Sequence, residues 1–562
     1  MEIKDKAQGP SRRTVLGSAA GAASVAGAIG LSSAASAKSG RGGPPPASNG
    51  HPILADKNTH RKLDAVRLRF KAARDLLNPG LPRQETSGDD SYADRRASFT
   101  KTLPHNEFGE VDTAAYQKLL DALASREQDD FDAIPLSPLA DRKLANPQGA
   151  YKFELTGLDG QLTWMRPAPK FSGLETAAEM GELYWKAACR DIPFSDYETN
   201  NRIANAAADL NGFSETVGPK DGGSVTPLTI FRGETPGDLT GPYISQFLLK
   251  PIPFGNGRIE QRYDRPARGD DFMDDWASYL AVQRGVAPTP LVKGNPRYIT
   301  NARALGEFVH VDFTFQAYQS AALILLGIPG AFDIGNLYNT NATQGAFVSL
   351  GGPDVLDLVS KAGNLSLTGA WYQKWLVHRR LRPEAYGGKL TQQMLGNRDY
   401  GLPDEIMDSR AVRRTQRVQG NALLSQAFPE GSPTHPAYPA GHATIAGACC
   451  TVLKAFFEES LEIPNPVVAN RNGTALDPYA GTLTIGGEID KLANNIALGR
   501  DWAGVHYRSD GVDGLLVGEQ QAIGLLRDYS RTYNERFDGF TLRKFDGTRI
   551  RINAGEVYAA GA

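Results

Sequence analysis

Between Thr300 and Asn534 the sequence repeats one pattern, long stretches with apolar residues at helical spacing and almost no strand patterning between them. The stretches are Thr300–Gly327, Val355–Leu381, His442–Glu459, Glu488–Asp501 and Arg508–Asn534. Others precede them at Thr113–Ser125, Gly173–Arg190 and Asp270–Gln283, and in THRKLDAVRLRFKAARDLL, where Leu63, Val66, Phe70, Ala73 and Leu77 keep the period. Strand signals are confined to Phe153–Leu158, Thr482–Ile485 and a hairpin of Thr541–Arg543 with Arg549–Ile552 around Asp546-Gly547. Such a chain is expected to be mainly α, a large helical-bundle domain with few short strands. No composition break follows residue 58, so 58–562 reads as one domain; two bundles meeting near 290–350 are the alternative. The Gly- and Pro-rich region 130–300 is expected to lie as loops over the helical scaffold.

The first residues read as a targeting segment. SRRTVLG pairs Arg12 with Arg13, a Gly/Ala-rich run follows over Val15–Leu31, and Ala35-Ser36-Ala37 forms an A-x-A cleavage site. This resembles a twin-arginine export signal over 1–37, which implies a periplasmic or extracellular protein. A disordered Pro/Gly/Ser linker is expected over 38–57.

Hydrophobic residues make up 41% of the 562, enough for a large core. The net charge of -2 gives no global field toward nucleic acid or an anionic membrane, and neither is expected as a partner. Any basic site must therefore be local. The three cysteines, Cys189, Cys449 and Cys450, offer no disulfide framework and no CxxC metal pattern, and read as buried small hydrophobes.

Basic residues do gather in three segments of the last third. Lys374, His378 and Arg382 lie in KWLVHRRLRPE, which reads as a helix ending at Pro383 with Lys374 and Arg382 reaching one concavity and His378 nearby. Taken alone, that segment reads rather as a solvated basic face. His435, Gly441 and His442 lie in THPAYPAGH, just before a strongly apolar helix. The free amides and dipole at its start suit an anion, and His442 would hang over them as acid or base; a histidine serving as a polar helix cap is the alternative. Arg500 and His506 lie in GRDWAGVHYRSD. Asp510, one turn on, could accept from one ring nitrogen of His506 and leave the other free to ligate. Three cations and two or three imidazoles suit one tetrahedral oxyanion.

Lys…Arg-Pro, Gly-His and Arg…His…Asp, in this order and spacing, resemble the phosphatase-like superfamily that includes the vanadium-dependent haloperoxidases. The interval of eight from Lys374 to Arg382, and His435 seven residues before His442, are similar to the algal bromoperoxidase branch rather than the fungal chloroperoxidase branch. The likeness runs from about residue 60 to the C-terminus and includes GPYISQFLLKPIPFGNG. The resemblance implies a vanadate cofactor. His506 would bond the vanadium, while Lys374, Arg382, Arg500 and the Gly441 amide would hold its oxygens. Trp371 would lie close by, and His442 would be the acid–base group, with Lys374 and His435 also serving catalysis. It further implies oxidation of bromide and iodide by hydrogen peroxide, halogenation of small organic acceptors, and a homo-oligomer, with a dodecamer favoured by the red-algal pattern. An acid phosphatase using His506 as nucleophile, or a non-catalytic oxyanion binder, would use the same cage. One residue departs from the family. Ala440 stands where the family reads serine before Gly-His, and a hydroxyl donor to a charged group is worth roughly 1.5–3 kcal/mol.

Overall fold

GHATIAGACCTVLKAF has no polar stripe, and a helix apolar on all sides has to be enclosed. The computed structural model, which describes residues 57–560, encloses it: every residue of Gly441–Phe456 except His442 is buried. The helices used below are α1 Lys57–Asp75, α2 Thr113–Ser125, α3 Leu174–Cys189, α4 Ala302–Val311, α5 Gln316–Leu326, α6 Gly352–Tyr372, α7 Pro383–Met394, α8 Gly441–Phe456, α9 Ile485–Trp502 and α10 Arg508–Ser530. Helix α8 packs against α6, α9 and α10, and α4 packs on α9. Two glycines set how closely α8 meets α10. A Cβ on Gly447 would strike the Leu515 carbonyl, and one on Gly518 would strike the Thr444 carbonyl. One contiguous cluster of buried apolar side chains runs from Ala97 to Ile552. From Leu68 on, the described chain forms one compact unit.

The strands are short and antiparallel: β1 Ile252–Phe254 with β2 Gly257–Ile259, β3 Val467–Ala469 with β4 Leu476–Pro478, and β5 Phe540–Arg543, β6 Arg549–Asn553 and β7 Glu556–Ala559 in a meander. The β5–β6 hairpin pairs Phe540 with Ile552 and Leu542 with Ile550. These four side chains are buried, and Phe540 lies against Phe456, so the hairpin closes the C-terminal end of α8.

Several expectations are corrected. Phe153–Leu158 forms no strand; Leu155 is fully exposed and Gly157 turns the chain at φ 77. Thr482–Ile485 contributes only an isolated bridge from Thr484 to Glu462, after which Thr484 caps α9. The helix expected from Asp270 begins at Trp276, because Asp275 takes the N-cap and accepts from the Ser278 amide. Thr300–Gly327 splits into α4 and α5. Val355–Leu381 also breaks: α6 gives way to π-helical turns over Gln373–His378, and Arg379 ends them at φ 44. Region 130–300 is mostly irregular, although α3, Asn201–Leu210 and Trp276–Gln283 are helical within it. All three cysteines are free and buried. No described helix is long and apolar enough to cross a membrane. The leader expected over 1–37 and the linker up to residue 56 lie outside the described residues, and α1 begins at Lys57.

Candidate functional site

Four segments bring their ends together at the start of α8. Gly441 opens that helix, Arg500 sits in the last turn of α9, His506 lies in the connection to α10, and Asp312 follows α4. They line a cavity of about 180 Å³ together with Trp371, His435 and His442. At roughly 30 Å³ per water, the space suits a small oxyanion and a few waters. Larger clefts exist on the protein, but this cavity is the one that gathers the imidazoles and cations picked out from the sequence.

Lys374 and Arg382 stand behind the cavity wall, both essentially inaccessible to solvent. They do not share a helix face. Lys374 lies in the π-helical turns, whereas Arg382 is extended at φ -81 and ψ 152 and forms the N-cap of α7. Pro383 explains this: it excludes the α conformation at the residue before it and takes the first position of the next helix. Lys374 Nζ donates to the carbonyls of Pro436 and Ala437, at 2.7 and 2.8 Å, which leaves one ammonium hydrogen. Arg382 donates to Val505 O at 2.8 Å, to His506 Nε2 at 2.9 Å and to His435 Nδ1 at 3.0 Å. A guanidinium only donates, so His506 Nε2 is the lone-pair nitrogen of its ring, whereas His435 Nδ1 lies between the Arg382 guanidinium and the Pro436 carbonyl, 3.1 Å away.

The other nitrogen of His506, Nδ1, donates to Asp510 Oδ2 at 2.8 Å. Asp510 is itself fixed: its Oδ2 accepts from the Tyr507 amide at 3.1 Å, and its Oδ1 from Arg380 at 2.8 Å. Arg380 also reaches Glu179 at 3.0 Å and lies over the Tyr507 ring at 3.8 Å. The tautomer of His506 is thus set from behind, with Nε2 presented forward. His442 Nε2 pairs with Asp312 Oδ1 at 3.1 Å, and its side chain keeps 31% exposure, an imidazole held at the cavity but open to solvent. Trp371 leans over His435 with ring centroids 4.8 Å apart.

The cluster is electrostatically unbalanced toward positive. Burial, then the charge of Arg382, pulls Lys374 well below the usual ammonium range. Burial brings Arg382 to about 9 and Arg500 to about 10. His506 and His435 are pushed far down by burial and then by these cations, and burial lowers His442 against the opposing pull of Asp312. Arg500 donates from one Nη to Val309 O at 2.6 Å, yet its buried Nε has no acceptor among the described residues. An unpaired buried donor beside two more cations fits an anion that supplies acceptors. Ammonium and guanidinium donors around one lone-pair imidazole nitrogen suit a metal presented as an oxyanion.

The structure thus brings together Trp371, Lys374, Arg382, His435, Gly441, His442, Arg500, His506 and Asp510. Ala440 is fully buried as the N-cap of α8 and makes no side-chain cap. His378 is corrected out of the cluster. The π-helical turns carry it to Tyr438, which it meets edge-on at 4.8 Å, and neither ring nitrogen has a partner among the described residues. Two site residues escaped the sequence reading. Asp312 lay inside an uninterrupted helical pattern, and Arg380 was one of several adjacent arginines; nothing in the local sequence separates either one.

Comparison with known proteins agrees with this geometry. A family model described as the VCPO second helical-bundle domain matches residues 359–535. A vanadium-dependent bromoperoxidase of Corallina pilulifera is 33% identical over 89% of this chain and the whole of the relative. One from Ascophyllum nodosum is 34% identical over 86% of this chain and 90% of the relative. The homohexameric structure of the second vanadate-dependent bromoperoxidase from Ascophyllum nodosum superposes with a TM-score of 0.87 at 29% identity, covering 95% of this chain and 98% of that one. With this identity over nearly its whole length, the chain belongs to the vanadium-dependent haloperoxidase family, in its algal bromoperoxidase-like branch.

Proposed function

We propose that this chain is a vanadate-dependent haloperoxidase that uses hydrogen peroxide to oxidise bromide and iodide to hypohalous acid equivalents, which halogenate small organic acceptors. The observation that carries the reading is the buried positive cluster of Lys374, Arg382 and Arg500, with Arg500 Nε lacking an acceptor among the described residues, beside the lone-pair nitrogen of His506. Vanadate(V), when bound, supplies Lewis acidity toward hydrogen peroxide without needing to change oxidation state.

The protein's own groups account for the rest. His506 Nε2 would bond the vanadium, its orientation held by Asp510 and, through Asp510, by Arg380. Lys374, Arg382, Arg500 and the Gly441 amide at the start of α8 would hold the oxyanion by charge-assisted hydrogen bonds. Lys374 keeps one free ammonium hydrogen with which to polarise the oxidant. Trp371 and His435 close one wall of the cavity. Conversion of hydrogen peroxide and bromide to hypobromous acid and water consumes one proton, and His442 is placed to deliver it and to recover it from solvent. An acid phosphatase with His506 as nucleophile could use the same cage, but similarity to named bromoperoxidases over most of the chain favours the peroxidase.

The homohexameric relative supports a homo-oligomer; the dodecamer is the finer proposal and rests on the red-algal pattern alone. Export by the twin-arginine route to the periplasm or outside the cell is proposed from SRRTVLG and Ala35-Ser36-Ala37. The deciding experiment is bromination of monochlorodimedone by protein stripped of vanadium, with and without orthovanadate. Activity that returns with orthovanadate and is opposed by phosphate is expected. Full activity after stripping, or phosphate-ester hydrolysis with no bromination, overturns the reading.

A further inference from the structure

We infer that the chain carries a second anion-binding site, remote in sequence from the cage segments, for an oligoanion with two or more phosphate, sulfate or carboxylate groups. The observation is a polar cleft of about 740 Å³ whose walls include Arg265, Arg268, Arg297, Arg303 and Arg471. Among the residues that line it, five guanidinium groups face two carboxylates, Asp191 and Asp196, and Asp271 just outside also reaches Arg303 at 3.0 Å. The whole chain carries a net charge of -2, so this positive excess is local.

The arginines fall into two kinds. Arg303 and Arg471 are neutralised. Arg303 grips Asp191 at 2.7 and 2.9 Å, and Arg471 holds Asp196 at 2.7 Å. Arg265 and Arg268 make no side-chain hydrogen bond or ion pair with any described residue, and Arg297 only grazes its neighbouring Pro296 carbonyl at 3.5 Å. These three are not scattered surface charges. Tyr263 and Arg297 exchange backbone hydrogen bonds at 2.8 and 3.0 Å, Gly294 donates to Arg265 O at 2.8 Å, and Tyr298 donates to Gly473 O at 2.9 Å. Backbone pairing therefore holds the 265–268 loop, residue 297 and the 471–474 loop around one recess. Like charges fixed together in a recess repel and focus a positive field into it. The planar forks of arginine match phosphate, sulfate and carboxylate two-pronged, and three forks on separate segments call for more than one anionic group.

The test is calorimetric titration of the vanadate-loaded protein, in its native assembly, with inorganic tripolyphosphate and, in a parallel arm, citrate. Loading with vanadate keeps the probe out of the cage. One site per chain is expected, weakening from low to physiological salt. The Arg265→Ala/Arg268→Ala/Arg297→Ala variant should bind about tenfold or more weakly, with bromide oxidation unchanged. Arg268→Glu reverses one exposed charge without touching the core, and should weaken binding in the same direction. Binding of both probes assigns a general oligoanion site; binding of tripolyphosphate alone narrows it to phosphate or sulfate. No binding by the native assembly, or equal affinity in wild type and Arg268→Glu, overturns the inference.

Discussion

His442 Nε2 lies 3.1 Å from Asp312 Oδ1, joining the start of α8 to the break between α4 and α5. The same carboxylate is the leading charge that opposes the depression of Arg500. One acidic group thus orients the His442 imidazole and partly balances the cation beside it.

Asp312→Asn keeps the shape and removes the charge. Bromide turnover with saturating vanadate should fall about ten- to a hundredfold, the usual loss when a group orienting a catalytic ligand is changed. The Michaelis constant for bromide should move much less. Turnover equal to wild type would make Asp312 a bystander to the chemistry.

Arg380 should matter for vanadate rather than for halide. It donates to Asp510 and Glu179 in a fully buried network, so Asp510 stays aimed at His506. Arg380→Lys keeps the charge but cannot span both carboxylates. Vanadate affinity, read by titration of the stripped protein, should fall about tenfold or more. A thermal melt of the same variant separates this loss from a general loss of fold. Unaltered affinity would mean that the amide of Tyr507 holds Asp510 well enough alone.

Much of this was legible in the sequence where period and punctuation agreed. Thr113–Ser125 is helical over the span its pattern marks, and α8, α9 and α10 begin within three residues of their expected starts. The side chains that gather at the start of α8 could be picked out because their order and spacing are unusual. The breaks were not. Asp312–Phe315 between α4 and α5 contains neither Gly nor Pro, so the turn that delivers Asp312 has no local marker and is imposed by packing. Arg382 was placed at the cage for a mistaken reason. Pro383 was read as the end of one helix, whereas it starts the next, and the π-helical turns before it depend on contacts distant in the chain. His378 left the cluster through the same shift.

His378 instead sets part of the acid limit of stability. Burial, then Arg379 and Arg380, brings its pKa down to about 3 from an ordinary 6.5. Between these values the unfolded chain binds a proton that the folded chain refuses. The stability linked to neutral His378 is therefore whole above pH 6.5 and is lost as pH falls toward 3. His105, also near 3, adds a parallel loss. His378→Phe can keep the edge contact with Tyr438 and removes one proton from the balance. Its unfolding free energy should fall less steeply below pH 6.5, by up to about 1.4 kcal/mol per pH unit. Denaturant titrations at several acid pH values, with vanadate omitted so that binding does not enter, provide the measurement. Superimposable slopes would mean that protonation of His378 is already relieved by water.

Ala440→Ser should act on two quantities at once. Ala440 is the N-cap of α8 and offers no side-chain cap; its amide donates to Asp510 O at 2.8 Å, and its carbonyl accepts from the Thr444 amide and hydroxyl. A serine hydroxyl there can accept from an amide in the first turn, worth about 1 kcal/mol, and still has its hydrogen to donate. Given to an oxygen of the bound anion, that hydrogen should tighten vanadate by about five- to thirtyfold, or roughly 1–2 kcal/mol. The two effects separate cleanly, because capping raises the melting temperature of the vanadium-free protein and donation does not. A raised melting temperature with unchanged vanadate affinity would show that the hydroxyl is engaged by the helix alone. Weaker affinity would show that the backbone of α10, close enough that a Cβ on Gly514 would come within 3.2 Å of the Ala440 carbonyl, leaves no room for the oxygen at this fully buried position. In that case the family's serine geometry does not transfer to this chain, and its cage relies on Lys374, Arg382, Arg500 and the Gly441 amide.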